Sequence, residues 1–551
     1  MLGKKKQVIK MIKIKYKVQK KRNKNLKYCL LFVLTIGIAA CTSSSKKTSE
    51  KNTGELEVNK LETNPGGIEK EKTINFSMQS KGESNPLVGL NCSNKELAEA
   101  FAWAKNKALS YVHDNSDAVG YWYEAALPNR EAFCMRDVSH QAIGAEILGL
   151  GKHNYNMFLK FAQNISKEKD YCTYWEINRY DKAAPEDYEN DTDFWYNLPS
   201  NFDITYNAYR LYQWTGNRDY LENTTLKNFY EVSLNQYIDH WQLGSEQILD
   251  RDRSMHISED LESSRFGNKR GIPTYSEAGR GETLLGIDMS ASIIAAYTAY
   301  SEMLKLTGEL KKSKEYKEKA QREQEFLDEF WWDKEKQEYR SVLYADKTFD
   351  YFMVGEDQAF LHYLFYFGAI SDHPRLTSIV NEYVDNFEKL IVELKSYLPI
   401  ILYENGHSEI ADKMIIDLCS VENERRDYPE NSFTIIEHLT RGLMGINVNA
   451  ASELFSTISR LEKDTDWAEM NNIPLLSNKI TVKHYGKTKT TVTNLSGGPI
   501  KWSAQIPGTH AFLYVNGHKT NCTSVYTGKH AYSYCTLTLN EGGEATVSST
   551  L

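Results

Sequence analysis

The eight cysteines show no C-x-x-C spacing, which argues against a structural zinc site. The apolar run Tyr28 to Ala40 falls short of the about 20 residues a membrane-spanning helix needs. No segment repeats at a fixed period, which disfavours a helical solenoid. Basic charge is scarce beyond the N-terminus. Residues 1–40 hold 12 of the 66 Lys and Arg and none of the 74 acids, so the remainder is formally −20. That balance argues against nucleic acid and against anionic polymers as general partners, and fits a neutral substrate.

The N-terminal 27 residues are basic and precede the short apolar run, the layout of a targeting segment. The run ends in Gly37-Ile38-Ala39-Ala40-Cys41, which resembles the lipobox of bacterial lipoproteins. An ordinary secretory segment is the plainer reading. The resemblance implies a signal peptide over 1–40, lipidation at Cys41, and a membrane partner through that lipid anchor. The place would be the cell envelope of a bacterium, at its outer membrane. Residues 41–72 are Ser, Lys, Glu, Asn and Thr with almost no large apolar side chains, and read as a disordered tether. Residues 73–94 read as a lead-in with a short strand at Thr73 to Met78. Cys522 and Cys535 are placed to bridge two neighbouring strands in an oxidising compartment. Cys92, Cys134, Cys172 and Cys419 read as buried small hydrophobes.

From about Lys95 apolar residues recur at three and four, as in Leu97, Ala98, Phe101, Ala102 and Ala104. Further helices are expected at about 136–150, 153–166, 203–215, 220–242, 286–309, 312–331, 355–369, 373–390, 392–405, 407–419 and 432–444, roughly twelve in all. Tight breaks at Gly149-Leu150-Gly151, Thr215-Gly216-Asn217, Thr307-Gly308-Glu309 and Asn405-Gly406-His407 alternate with long loops near 113–135, 166–202 and 243–285. Long loops inside a compact domain are usually functional. The alternation predicts a mainly α toroid of helical hairpins over 95–475, with short turns on one face and substrate loops on the other. After Leu475 the texture changes to β-rich runs punctuated by Asn, Gly and Pro, which predicts a small β-sandwich over 476–551.

Breaking a glycosidic bond takes two carboxyl groups across the sugar, one to protonate the leaving oxygen and one to activate water or attack. Aromatics that stack on sugar faces complete such a site. The long loops carry Tyr121-Trp122-Tyr123, Tyr174-Trp175 and Phe194-Trp195-Tyr196. Four charged stretches accompany them. Arg136-Asp137 starts a helix with an apolar opposite face. Asp191-Thr192-Asp193-Phe194-Trp195 forms an acidic aromatic loop. Thr274-Tyr275-Ser276-Glu277 leads through Gly279 and Gly281 to Glu282. Glu424-Arg425-Arg426-Asp427-Tyr428-Pro429-Glu430 is a charged loop that Pro429 separates from the preceding helix. Gly355-Glu356-Asp357-Gln358 and Ser396-Tyr397-Leu398-Pro399 also open helices.

The Arg136-Asp137 helix start resembles that of glucoamylases and other six-hairpin glycosidases, in which the pair grips the sugar. Alpha-L-rhamnosidases carry an Arg-acid pair in a comparable loop. The resemblance implies an (α/α)6 toroid and a glycoside hydrolase, inverting, with the general acid between the fifth and sixth helices and the base between the eleventh and twelfth. By that count Glu277 is the acid, with Glu282 as alternative, and Glu430 is the base, with Asp427 as alternative. Arg425 and Arg426 would keep nearby carboxylates ionised. Arg136, Asp137, Asp193, Trp195, Trp122, Tyr275 and Arg426 would bind substrate, and neither metal nor organic cofactor is implied. The Trp-Glu-Glu of glucoamylases and the signature loops of trehalases are absent. Two alternatives therefore stay open: a non-catalytic glycan-binding lipoprotein, and a toroidal polysaccharide lyase recruiting His140, Tyr275 and Asn197.

Overall fold

Two kinds of helix alternate along the chain. Ile287–Leu306 buries 16 of its 20 residues, whereas the next helix, Leu310–Phe326, buries 4 of 17. A helix apolar or small all round belongs in a core, and one with a single apolar stripe belongs outside it. The computed structural model describes residues 87–551 apart from 252–264, 267–269, 277–281, 352–359, 371–372 and 528–529. The expected signal segment, Cys41, the expected tether and the expected strand at 73–78 lie outside the described residues.

Twelve helices among the described residues build the toroid: α1 Lys95–Ser110, α2 Met135–Ile147, α3 Gly151–Gln163, α4 Ser200–Thr215, α5 Thr224–Val232, α6 Ile287–Leu306, α7 Leu310–Phe326, α8 His362–Tyr366, α9 His373–Asp385, α10 Leu398–Glu404, α11 Ser408–Leu418 and α12 Pro429–Glu437. Wide helical turns extend α5, α7 and α12, the last through His438–Leu443. The even-numbered helices form the inner ring. α12 packs on α2, α2 on α4, α4 on α6, α6 on α8, and α10 on the extension of α12. His362 of α8 meets the Tyr397 ring just ahead of α10, closing the circle. Inner helices pass to outer ones through tight turns. The turn after α4 uses Gly216 at φ +72, whose N–H donates to the Tyr212 carbonyl at 2.8 Å; glycine tolerates that left-handed backbone. Outer helices return through long loops. All those loops therefore gather over the N-terminal ends of the inner helices.

The strand-rich region is larger than expected and begins before residue 476. Its strands are β1 Gly89–Cys92, β2 Asn447–Asn449, β3 Leu454–Ile458, β4 Trp467–Leu475, β5 Asn478–Tyr485, β6 Lys489–Ser496, β7 Ile500–Pro507, β8 Phe512–Val515, β9 His518–Asn521, β10 Thr523–Thr527, β11 His530–Leu539 and β12 Glu544–Ser548. One sheet runs β1-β4-β5-β6-β12-β8-β9 and the other β2-β3-β7-β11-β10. The lead-in supplies an edge strand, β1. The hairpin of β4 with β5 crosses the expected boundary. An irregularity between Met470 and Ile473, with Asn472 at φ +56, breaks the alternation that would have marked β4. Cys522, between β9 and β10, and Cys535, on β11, are free thiols, and Cys522 Sγ donates to the His510 carbonyl at 3.2 Å. The sandwich is fastened to the helices where Trp214 Nε1 donates to the Pro474 carbonyl at 2.9 Å.

α2 and α12 meet at backbone distance. A Cβ on Gly144 would stand 2.0 Å from the Phe433 carbonyl oxygen. Gly to Ala inside a helix ordinarily gains about 1 kcal/mol. Here the backbone oxygen cannot swing away, and forcing atoms into a packed contact costs about 1–3 kcal/mol. Gly144→Ala is expected to lower the midpoint of thermal unfolding. An unchanged or raised midpoint in a calorimeter would contradict the contact.

Candidate active site

The N-terminal ends of α2 and α12 lie side by side beneath the long loops, at a cleft of about 390 Å³. Arg136 and Asp137 occupy the first turn of α2, and Glu430 follows Pro429 in the first turn of α12. Arg136 Nε is 3.7 Å from Asp137 Oδ1. Asp137 and Glu430 are hydrogen-bonded to each other. Two carboxyl groups can bond only if one is protonated. Glu430 is 8% exposed. Burial, and next the Asp137 carboxylate, push its pKa up to about 8 against the pull of Arg136. Burial also raises Asp137, with Arg136 opposing. The shared proton rests on Glu430 at neutral pH. Its Oε1 is buried without a hydrogen-bond partner.

A second carboxyl pair lines the same cleft, and sequence reasoning missed it. The three-residue strand Glu176–Asn178 pairs with Ala132–Cys134, setting Glu176 opposite Cys134 and so close to the start of α2. Arg130 Nη2 bridges Glu176 Oε2 at 2.8 Å and Asp187 Oδ2 at 2.7 Å. Glu176 is 2% exposed. Burial, and then its hydrogen bond to the Asp187 carboxylate, push its pKa up to about 10 despite Arg130. Its Oε1 is also unpartnered. The only local signal for Glu176 is its place after Tyr174-Trp175.

Trp175, Trp195, Tyr428 and the Arg425–Glu393 ion pair complete the walls. Trp195 Nε1 donates to Asn197 Oδ1 at 2.9 Å, which fixes the indole. Past Arg136 and Glu430 the cleft continues into an aromatic recess of about 100 Å³ lined by Tyr275, Tyr363, Tyr397 and His362. Buried carboxylates hold the loop that supplies Tyr275. Asp288 accepts from the Tyr275 N–H at 2.6 Å and the Thr274 hydroxyl at 2.8 Å, and Asp203 Oδ2 accepts from the Tyr275 hydroxyl at 3.0 Å.

The cleft and its recess thus gather Arg136, Asp137, Trp195, Tyr275 and Glu430. Other expected residues stand elsewhere. Trp122 is fully buried, stacks on His113 at 4.0 Å and donates to Asp117 Oδ2 at 2.8 Å. Asp193 accepts the backbone N–H groups of Arg265 and Phe266 at 3.0 and 3.2 Å, pinning a loop. Arg426 lies over the Trp103 ring at 4.7 Å. Asp427 is a surface partner of Lys107 at 3.2 Å, with a side chain 63% exposed. Glu282 is not among the cleft-lining residues, and Glu277 lies outside the described residues. The expectation that Arg425 and Arg426 keep Glu430 ionised is corrected: Arg425 is engaged by Glu393, and burial beside Asp137 decides the titration. Of the three residues considered for a lyase, Tyr275 lines the recess, whereas His140 and Asn197 are committed to packing. His140 stacks flat on Tyr397 at 3.4 Å, and Asn197 Nδ2 donates to the Thr274 carbonyl at 2.7 Å. Among the described residues no group of three His, Cys, Asp or Glu is disposed to hold a metal ion.

No family model and no curated protein matches the chain. Solved structures do. An α-L-rhamnosidase from Dictyoglumus thermophilum superposes with a TM-score of 0.54 at 11% identity, over 84% of this chain and 50% of that one. A chain named as a kojibiose phosphorylase, from the human microbiome, gives 0.51 at 10% identity, over 82% of this chain and 63% of that one. The fold is therefore the (α/α)6 toroid of six-hairpin glycosidase-like proteins, and these structural neighbours are carbohydrate-active enzymes. This chain spans about half the length of the rhamnosidase.

The raised carboxyls make stability depend on pH with a definite sign. A group whose folded pKa exceeds its unfolded value stabilises fully below the unfolded pKa and loses that contribution as pH climbs through the folded one. For Glu430 the loss runs from about 4.5 to about 8. The unfolding midpoint should therefore fall between pH 5 and pH 9, and fall less steeply in Glu430→Gln, which cannot titrate. Equal slopes in the two proteins, read by scanning calorimetry across that range, would refute the assignment.

Proposed function

We propose that the protein is a glycoside hydrolase that cleaves neutral glycans in the cleft between α2 and α12. The observation that supports this most is the Asp137–Glu430 pair, which stores one proton beside Arg136 in an aromatic-lined cavity. A general acid works best when its pKa lies near the working pH. Glu430, at about 8, meets that condition better than Glu176, at about 10. Glu430 is therefore assigned as the proton donor to the leaving oxygen, and not as the base. Asp137 holds the proton on Glu430 and, with Arg136, grips sugar hydroxyls. The carboxylate of the Arg130-bridged Glu176–Asp187 pair, which lines the same cleft, is assigned to activate water for a single displacement with inversion. Trp175 and Trp195 supply apolar faces for the ring.

The carboxyl residues balance the three cleft arginines. With Glu176 and Glu430 protonated, Asp137, Asp187 and Glu393 stand against Arg130, Arg136 and Arg425. A cleft without net charge suits a neutral sugar better than a uronate.

Turnover on a panel of aryl glycosides and oligosaccharides, with products followed by mass and anomer by NMR, tests the reading. Wild type should release a reducing sugar with inversion, and kcat/KM should fall as pH rises past about 8, where Glu430 loses its proton. Glu430→Gln should lower kcat by about 10²–10⁴-fold, the usual worth of general acid catalysis, with binding retained. An unsaturated product absorbing in the ultraviolet would assign a lyase instead. Binding without turnover in wild type would assign a glycan-binding protein.

A further inference from the structure

The barrel has a second cavity, of about 280 Å³, at the opposite mouth from the cleft. It lies among the C-terminal halves of the inner helices: Arg210 from α4, Tyr366 from α8, Glu404 from α10, and Glu437, His438 and Arg441 from α12 and its extension. We propose that this cavity is a binding site for a neutral polyhydroxylated molecule about the size of a monosaccharide, separate from the cleft. The inference does not depend on the cleft being hydrolytic.

His438 lines the cavity and carries an acceptor that no protein group donates to. Its side chain is 2% exposed. Nε2 lies 2.7 Å from the Ser396 carbonyl, which can only accept, so the ring hydrogen is on Nε2. Burial holds the imidazole at about 4, hence neutral at pH 7. Nδ1 is left as a bare acceptor, buried and unpartnered. A buried acceptor left without a donor is costly unless something donates to it. A ligand hydroxyl would do so.

The neighbouring charges narrow the ligand. Arg210 Nη2 and Arg441 Nη1 both donate to Glu437 Oε1 at 2.5 Å, and Arg210 Nη1 donates to Asn207 Oδ1 at 2.7 Å. Burial would raise Glu437, but the two guanidiniums outweigh it and keep the carboxylate ionised. Glu404 faces Arg460 at 3.9 Å. Of the groups that line the cavity, Arg210 and Arg441 balance Glu404 and Glu437, which leaves no net charge to draw an ion. Helix C-termini present carbonyl ends, which disfavour an anion. What remains is a neutral partner rich in O–H donors. At about 30 Å³ per water the cavity holds about nine waters, enough for a hexose. Tyr397 lines both this cavity and the aromatic recess of the cleft, so the two sites share one wall.

The test uses the full chain and D-glucose, L-rhamnose, D-xylose and myo-inositol as probes, read by calorimetric titration. Arg136→Ala disables the cleft, while Leu376→Trp fills the second cavity from α9 and His438→Phe removes its acceptor. At least one probe should bind Arg136→Ala protein and bind at least tenfold more weakly when either cavity substitution is added. D-glucuronate and D-glucosamine should bind at least tenfold more weakly than that probe. Should His438→Phe fail to fold, Leu376→Trp decides alone. The proposal fails if no probe binds the Arg136→Ala protein, if the cavity substitutions leave its binding unchanged, or if the charged sugars bind as well. Turnover loss in Glu430→Gln reports separately on the cleft, so the two readings fail independently.

Discussion

The backbone contact between α2 and α12 sets the geometry on which the site depends. Gly144 lets α2 settle against the Phe433 carbonyl. Asp137 lies two turns before Gly144 on one helix, and Glu430 lies one turn before Phe433 on the other. Helices held at backbone distance bring those two first turns close enough for the carboxyls to share a proton. A wider spacing would let water between them, and each would ionise like an ordinary surface acid. The titration of Glu430 is thus a consequence of a missing side chain about 10 Å along the helix axis, at 1.5 Å per residue.

Orientation reinforces this arrangement from one side and opposes it from the other. The first turns of α2 and α12 face the cleft, because the return loops lie over the N-terminal ends of the inner helices. Their dipoles favour carboxylates there, by about 0.3–1 kcal/mol each at exposed sites. That term would lower Glu430 and Glu176. Both are raised instead, so burial and the like-charged neighbour outweigh the dipole. Arg130 and Arg136 limit the effect without reversing it. The cleft keeps charge and removes water, the combination that holds a carboxylic acid protonated near neutral pH.

Much of this was legible in the sequence because it is periodic or local. The apolar recurrence in Leu97, Phe101 and Ala104 marked α1, and the glycine breaks at 149, 216, 308 and 406 marked inner-to-outer turns. The Pro429-Glu430 helix start and the Arg136-Asp137 helix start stood out as charge at the head of apolar helices, and both line the cleft. What escaped was set by pairing between distant segments. Glu176 reaches the cleft through a three-residue strand opposite Cys134, too short to show an alternation. Arg130 and Asp187 sit in polar loops that look like ordinary solvated surface. Trp122 and Asp193 share the composition of binding residues but are spent on packing and on pinning a loop. The early start of the sandwich was hidden by the irregularity inside β4.

The axis of the toroid is polar from end to end, and this joins the two cavities. The Tyr275 hydroxyl donates to Asp203, which also accepts from Tyr366 at 3.1 Å and Asn207 at 2.7 Å. Asn207 accepts from Arg210, and Arg210 and Arg441 meet on Glu437. The chain runs from the aromatic recess of the cleft to the second cavity without a break. A six-helix ring leaves a centre too narrow for interdigitated aliphatic layers yet wide enough to strand polar groups, and only a connected network satisfies them all. Such a network is costly to open at any one member, because the partner left behind is buried and unpaired. The same bonds that hold Tyr275 at the cleft therefore hold Arg210 and Glu437 at the far mouth. Rigidity of the cleft floor and shape of the second cavity are two readings of one hydrogen-bonded column.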